Sequence, residues 1–251
     1  GVVVISGTNG KTTTTKMVVE LLQSQGKKVF TNRTGSNFTR GVAAALLAEV
    51  DTHGKLDADI AVLELDEAHA RHFVDVIKPR YSLLLNVLRD QLDRFGEIDA
   101  TTKMLRRIAE NTTDGVVLNR EDPRIASIAG HLHEPTVTYF GLSPSLVHLF
   151  PSDDAMRSGA NAKKQSLKAD VVLSALDDNK ARFTIDSHSV STTLELSGIY
   201  NVYNAAAALA LVRVILAEKL SEASLIDALA HVTPAFGRGE SLMVDGQPLE
   251  I

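Results

Sequence analysis

Residues Val2 to Thr14 read VVVISGTNGKTTT, a β-branched run, a glycine turn and the opening of a helix-periodic segment. Val2 to Ile5 has the uniform apolar character of a short strand buried on both faces. From Lys11 to about Gln25 the apolar residues Met17, Val18, Leu21 and Leu22 recur at helical spacing. A strand, a glycine loop and a helix in that order aim backbone N–H groups at a helix N-terminus, where they can wrap phosphate oxygens. Lys11 adds a mobile positive charge, and the Thr12 hydroxyl is a ligand for Mg²⁺. Gly7, Thr8, Asn9, Gly10, Lys11, Thr12 and Thr13 are therefore the candidate nucleotide-binding residues. One position departs from the general pattern GxxxxGK[ST], because Ile5 stands where its first glycine belongs. The competing reading is a structural glycine turn followed by a surface lysine.

Downstream, strand and helix signals alternate. Strands are expected at Val29 to Thr31, Ile60 to Leu65, Tyr81 to Val87, Val116 to Leu118 and Thr136 to Phe140. Helices are expected at Gly41 to Val50, Glu67 to Ile77 and Ile98 to Asn111. This alternation implies right-handed crossovers and a doubly wound, mostly parallel α/β sheet covered on both faces. Between Gly141 and Ser197 the texture turns to short alternating segments split by Asp177-Asp178-Asn179, which predicts antiparallel hairpins and a small β insertion. Helices return at Asn204 to Ala217 and, capped by Ser221, through about His231.

The chain has 251 residues, 44% apolar and 23% charged, enough for one large α/β core and too few for a second full domain. Its net charge of −5 and scattered Lys and Arg argue against a nucleic-acid surface. No apolar run approaches the roughly 18 residues of a membrane span and no signal peptide is recognisable, so a cytoplasmic location is expected. Cysteine is absent, which removes thiolate metal sites and cysteine nucleophiles. No zinc is expected.

A phosphate-bound Mg²⁺ needs a carboxylate near the loop. Glu64 closes the strand in IAVLELDEA, at the sheet edge where open α/β folds gather ligands. Thr12 and Glu64 are the expected metal ligands, with Asp66 as helix N-cap and Glu67 as a first-turn partner of the helix dipole. Past the next strand, Asn86, Asp90 and Gln91 are expected in the metal and acyl-phosphate region, whereas Arg89 and Arg94 also fit surface ion pairs. His69 and His72 share a helix face without a third ligand and are set aside.

Gly7 to Thr12, Glu64, Asn86 with Asp90 to Asp93, Asn119 to Pro123, Asn204 and Gly237-Arg238 together resemble the central ATPase domain of the Mur ligase superfamily. In that superfamily the loop is GTNGKT without the earlier glycine, so Ile5 becomes a family feature. The resemblance implies that ATP and Mg²⁺ are bound and that Glu64 is a Mg²⁺ ligand. It places Asn119 and Asp122 near the nucleotide, Asn204 at the adenine and Arg238 at the phosphates. Lys11, Glu64 and Arg238 are the implied catalytic residues. RDQLDRFGE at Arg89 to Glu97, NRTGSN at Asn32 to Asn37 and LDEA at Leu65 to Ala68 are similar to the MurT-type subunits of lipid II isoglutaminyl synthases.

Those enzymes use ATP to activate the α-carboxylate of D-glutamate in the peptidoglycan stem peptide, and amidate it with ammonia from a GatD-type glutaminase. The implied partners are thus a GatD-type subunit and lipid II or its stem peptide, with no transmembrane segment and a possible peripheral place at the inner membrane face. A chain without cysteine cannot supply a cysteine glutaminase nucleophile, which suits a two-subunit amidotransferase. Residues 1–237 are expected to form the ATP-binding domain, with the β insertion at about 141–197. Residues 238–251 are expected to be a hinge toward a C-terminal domain outside this chain. Lys103 is the positional candidate for the carbamylated lysine of many Mur ligases, with Gln91 in place of the histidine of that site. The alternatives are another ligase of the superfamily, such as a UDP-MurNAc-peptide ligase or folylpolyglutamate synthase, and a nucleotide-binding module without chemistry.

Overall fold

The computed structural model describes residues 1–32, 39–88, 97–150, 167–196, 198–217, 220–233, 241–244 and 247–250. Nine strands form one sheet in the order β2-β3-β1-β4-β5-β6-β7-β8-β9. They are β1 (Val2–Ser6), β2 (Val29–Thr31), β3 (Ile60–Glu64), β4 (Tyr81–Leu84), β5 (Gly115–Asn119), β6 (Thr136–Leu142), β7 (Val171–Asp177), β8 (Lys180–Ile185) and β9 (His188–Thr193). Pairing is parallel from β2 through to β7 and antiparallel across β7, β8 and β9. The hairpins expected after Gly141 are therefore present, and they continue the main sheet through β6 and β7.

Successive side chains of a strand point to opposite faces, and β1 sorts its residues accordingly. Val3 and Ile5 join one apolar cluster and Val4 the other, all three fully buried. The first cluster lies under α1 (Lys11–Ser24), α6 (Ile199–Leu216) and α7 (Glu222–Ala230). The second lies under α3 (Glu67–Val76), α4 (Glu97–Glu110) and the short α5 (Pro123–Ser127), while α2 (Thr39–Glu49) follows β2. Met17, Val18, Leu21 and Leu22 are the fully buried stripe of α1, as their spacing predicts. Burying each contributes about 1.5–3 kcal/mol.

Helix α6 differs from expectation in two ways. It begins at Ile199, five residues early, because Gly198 at φ 93° turns the chain into its first turn. It is also long and apolar enough to cross a membrane by length and composition alone. Its residues from Ala205 to Val212 are instead fully buried against the sheet and α1, which accounts for apolarity on every side. Sequence periodicity also missed α5, where Asp122 is the N-cap and Pro123 takes the first helical position, whose N–H has no helical partner in any case. Strands β10 (Ser241–Val244) and β11 (Gln247–Glu250) form a separate antiparallel pair.

Candidate phosphate-binding site

Strands β1 and β3 are neighbours whose connections part. The chain leaves β1 through α1 toward β2 at the sheet edge, and leaves β3 through α3 back across to β4. Their carboxyl ends therefore open into a crevice, the ligand-binding position of an open α/β sheet. Gly7 to Gly10 form one lip, and Glu64 to Glu67 the other.

The two loop glycines are required by conformation and contact together. Gly7 has φ 139° and Gly10 φ 85°. A Cβ on Gly7 would stand 3.0 Å from the Asn86 nitrogen, and one on Gly10 would stand 2.9 Å from both amide atoms of Asn204 on α6. The loop is thus pressed between the end of β4 and the start of α6. Asn86 also ties it down: the Asn9 N–H donates to Asn86 Oδ1 at 2.9 Å, and Asn86 Nδ2 donates to the Asn9 carbonyl at 3.0 Å. The Thr8 N–H donates to the Asn86 carbonyl at 3.0 Å, and the Leu88 N–H to Thr8 Oγ1 at 3.0 Å. Thr8 and Asn9 therefore brace the loop in this structure. The first turn of α1 carries no side-chain cap at Gly10, so the N–H groups of that turn, from Lys11 through Thr13, are the ones left for an anion.

Lys11 curls back, its ammonium donating to the Gly7 carbonyl at 2.5 Å and to the Thr8 carbonyl at 3.0 Å. Across the crevice the Thr12 hydroxyl donates to Glu64 Oε1 at 2.8 Å. Glu64 is only 4% exposed. Its backbone is held at both polar groups by Asn32, just past β2. Asn32 Nδ2 donates to the Glu64 carbonyl at 2.7 Å, and the Glu64 N–H donates to Asn32 Oδ1 at 2.9 Å. One amide thus locks the ends of β2 and β3 in register beside the carboxylate. Replacing Asn32 by Ala strands two buried backbone groups, each costing about 1–3 kcal/mol, and denaturant unfolding should show the loss.

Asn119 and Asp122 come to the same carboxyl edge but use their polar atoms on the frame. Asn119 Nδ2 donates to the Leu85 carbonyl at 2.8 Å, while its Oδ1 accepts from the Glu121 N–H at 2.9 Å and the Tyr203 hydroxyl at 2.5 Å. Burial, with the charge of Glu121, pushes the Tyr203 phenol well above its usual range, so it remains a donor. Asp122 accepts from the N–H groups of Val87 at 2.7 Å, Arg124 at 2.9 Å and Ile125 at 3.2 Å. Burial still holds its carboxyl above the ordinary value. Asp122→Ala removes an N-cap and a strand tie together. A loss of about 1–3 kcal/mol in unfolding free energy is expected.

Asp66 caps α3 as expected, accepting from the Ala68 N–H at 3.1 Å. Burial would raise its carboxyl, yet hydrogen bonds from His69 and the Ala68 N–H, with the charge of Lys11, leave it below the usual range. His69 spends its ring on Asp66 at 3.2 Å. Among the described residues no group of three or more His, Cys, Asp or Glu gathers to hold a metal. Lys103 is exposed on α4. Arg238, Asp90, Gln91 and Asp93 lie outside the described residues. Sequence reasoning gave Asn32 no role of its own and placed Asn86 at the metal rather than under the loop. An Asn just past a strand was the only local signal for either.

Residues 5–212 match the Mur ligase middle domain. The chain belongs to this family. Among curated relatives it is similar to the lipid II isoglutaminyl synthase subunit MurT of Streptococcus pneumoniae, 33% identical over 84% of this chain and 52% of the relative. The chain thus spans about half the length of that relative. MurF of Acinetobacter baumannii has the same fold, at a TM-score of 0.74 and 21% identity over 96% of this chain and 47% of its own. MurF of Thermotoga maritima, solved in complex with ADP, matches at a TM-score of 0.68 and 22% identity over 98% of this chain and 51% of its own.

The geometry of this Mur ligase middle domain accounts for the missing earlier glycine of GTNGKT. Ile5 is fully buried in β1 and pairs with Glu64 of β3 and Leu83 of β4. The turn needs only Gly7 and Gly10, which carry its positive φ values. The hydroxyl of Thr12 and the carboxylate of Glu64 are hard oxygen donors side by side, a set that suits Mg²⁺.

Proposed function

We propose that this chain is the nucleotide-binding part of a MurT-type ligase that uses ATP to amidate the α-carboxylate of D-glutamate in a lipid II stem peptide. The observation that carries this reading is the Thr12–Glu64 pair facing the loop at the β1/β3 crevice, in a chain 33% identical to a named MurT subunit. A carboxylate is a poor electrophile. Transfer of the γ-phosphoryl group to one of its oxygens, with release of ADP, makes an acyl phosphate; attack by ammonia on the acyl carbon then releases phosphate and leaves the amide. The N–H groups at the start of α1 and the Lys11 ammonium stabilise the charge that builds on the phosphoryl oxygens. Thr12 and Glu64 hold the Mg²⁺, which when bound neutralises phosphate charge. Asn204, packed on Gly10, lies one side chain from the loop and suits a contact to the nucleoside. Arg238 is assigned to the phosphates and residues 238–251 to the hinge before a C-terminal domain. Residues 1–237 are the ATP-binding unit, working in the cytoplasm.

Ammonia comes from a GatD-type glutaminase subunit, a reading that the absence of cysteine from these 251 residues suits. The test uses the full-length protein copurified with its glutaminase subunit, given ATP, glutamine and lipid II. Mass spectrometry should find hydroxyl replaced by amine on the stem-peptide glutamate. Incorporation of an amino acid instead would assign the chain to a peptide-forming ligase of the superfamily, and ATP binding without any product would reduce it to a binding module. Glu64→Gln is expected to raise the Mg²⁺ needed for half-maximal turnover by about 10–100-fold, measured by titrating Mg²⁺ at saturating ATP.

A further inference from the structure

Glu67 opens α3 on the lip of the crevice opposite the loop, next to the cap residue Asp66. Its Oε1 lies 4.0 Å from the Lys11 ammonium, and the two side chains are only 12% and 13% exposed. Lys11 offers three N–H donors, of which the Gly7 and Thr8 carbonyls take two. Both of those acceptors belong to the loop, so they draw the ammonium back toward its own lip. Glu67, the negative group paired with it across the crevice, draws it the other way, with the charge of Asp66 beside it. The separation is beyond a hydrogen bond, so the attraction acts through space and does not lock one rotamer.

We infer that Glu67 is a positioning residue for the nucleotide reaction, a counter-ion on α3 that aims the Lys11 ammonium into the β1/β3 crevice. A buried carboxylate needs such a partner, because taking one charge out of water without the other is costly. Burial, with the charge and hydrogen bond of neighbouring Asp66, pushes the Glu67 carboxyl above its ordinary value, and Lys11 is the largest influence pulling it down. The site at the N-terminus of α3 also favours a negative side chain, but that alone would not require proximity to Lys11. The same geometry makes Glu67 a competitor. It shares the ammonium with the phosphates while ATP is bound, and it restrains the direction from which Lys11 meets the transferring group. Removing it should therefore affect ground-state binding and turnover in opposite directions.

This inference rests on the reading of Gly7 to Thr13 as a nucleotide loop, and a double-mutant cycle separates the two. Mg-ATP affinity by calorimetry and ATP turnover are measured in the full-length protein for wild type, Glu67→Gln, Lys11→Ala and the double variant. Glu67→Gln should tighten Mg-ATP by about fivefold and slow turnover by about tenfold, and should change affinity by less than about twofold once Lys11 is Ala. A charge on α3 that acted only through the helix would give the same factor in both backgrounds, and that result overturns the proposal, as does unchanged turnover in Glu67→Gln. If Lys11→Ala binds Mg-ATP like wild type, the loop reading itself fails, whatever Glu67 does. Should Glu67→Gln not fold, Glu67→Ser, which suits a first helical turn, carries the same cycle.

Discussion

Lys11→Ala in the full-length protein is expected to lower ATP turnover by about 10²–10³-fold, the range for removing one charge-stabilising group from a preorganised site. The ammonium has no competing structural task of similar weight. Its two hydrogen bonds go to carbonyls of its own loop, and its ion pair with Glu67 is longer than a hydrogen bond. The Glu67 carboxylate loses its partner, so a modest loss of thermal stability is expected beside the much larger fall in rate. The loop frame survives because it hangs on Asn86 and on the Thr8–Leu88 contact, neither of which involves Lys11. Turnover measured by ADP release, together with a melting curve, checks both halves. A variant that melts like wild type and keeps full turnover would remove Lys11 from the chemistry.

The second large effect is expected at Gly10, and the molecule supplies its own control. Gly10 has φ 85° and Gly26 φ 76°, so Ala at either position meets a similar left-handed penalty of about 1–2 kcal/mol. Nothing lies within 4 Å of a Cβ on Gly26, whereas a Cβ on Gly10 would collide with Asn204 at 2.9 Å. Gly26→Ala should cost only the backbone term and leave Mg-ATP binding intact. Gly10→Ala should in addition push the Asn204 amide out of its place against the loop and weaken Mg-ATP by about tenfold, the equivalent of about 1.4 kcal/mol. Asn204→Ala in the Gly10→Ala background should recover part of that loss by removing the clash. Equal effects of the two glycine substitutions on nucleotide affinity would show that the contact with α6 is immaterial.

The contrast between the two glycines also shows what a sequence can carry. Gly10 is read as a loop residue from local pattern, and Gly26 follows the expected end of the first helix at about Gln25; both take positive φ. Only the packing of α6 on the loop separates them, and Asn204 lies 194 positions away in the chain. Asn32 and Asn86 teach the same lesson. Each satisfies both polar groups of a distant backbone residue, Glu64 in one case and Asn9 in the other, and no spacing in the sequence encodes those partners. Asp122 and Asn119 were picked out by the family resemblance. What their oxygens and amide would hold was not legible, because several groups at a sheet's carboxyl edge compete for them.

The sequence by itself determined the alternation of strands and helices, the buried stripe of α1, the glycine loop and the carboxylate at the end of β3. Each follows from periodicity or from a residue whose conformational range is narrow, and such signals are local. Tertiary structure alone decided that the hairpins after Gly141 continue the main sheet and that α6 is a core helix. It also brought Glu67 to face Lys11, and it supplied the direct contact between Thr12 and Glu64, which the sequence led one to expect only as two ligands of one metal. Those outcomes depend on the strand order β3-β1-β4, which sets residues 52 and 56 positions apart on opposite lips of one crevice. Strand order is fixed by burying both faces of the sheet at once, a condition on the whole chain that no single stretch of it contains.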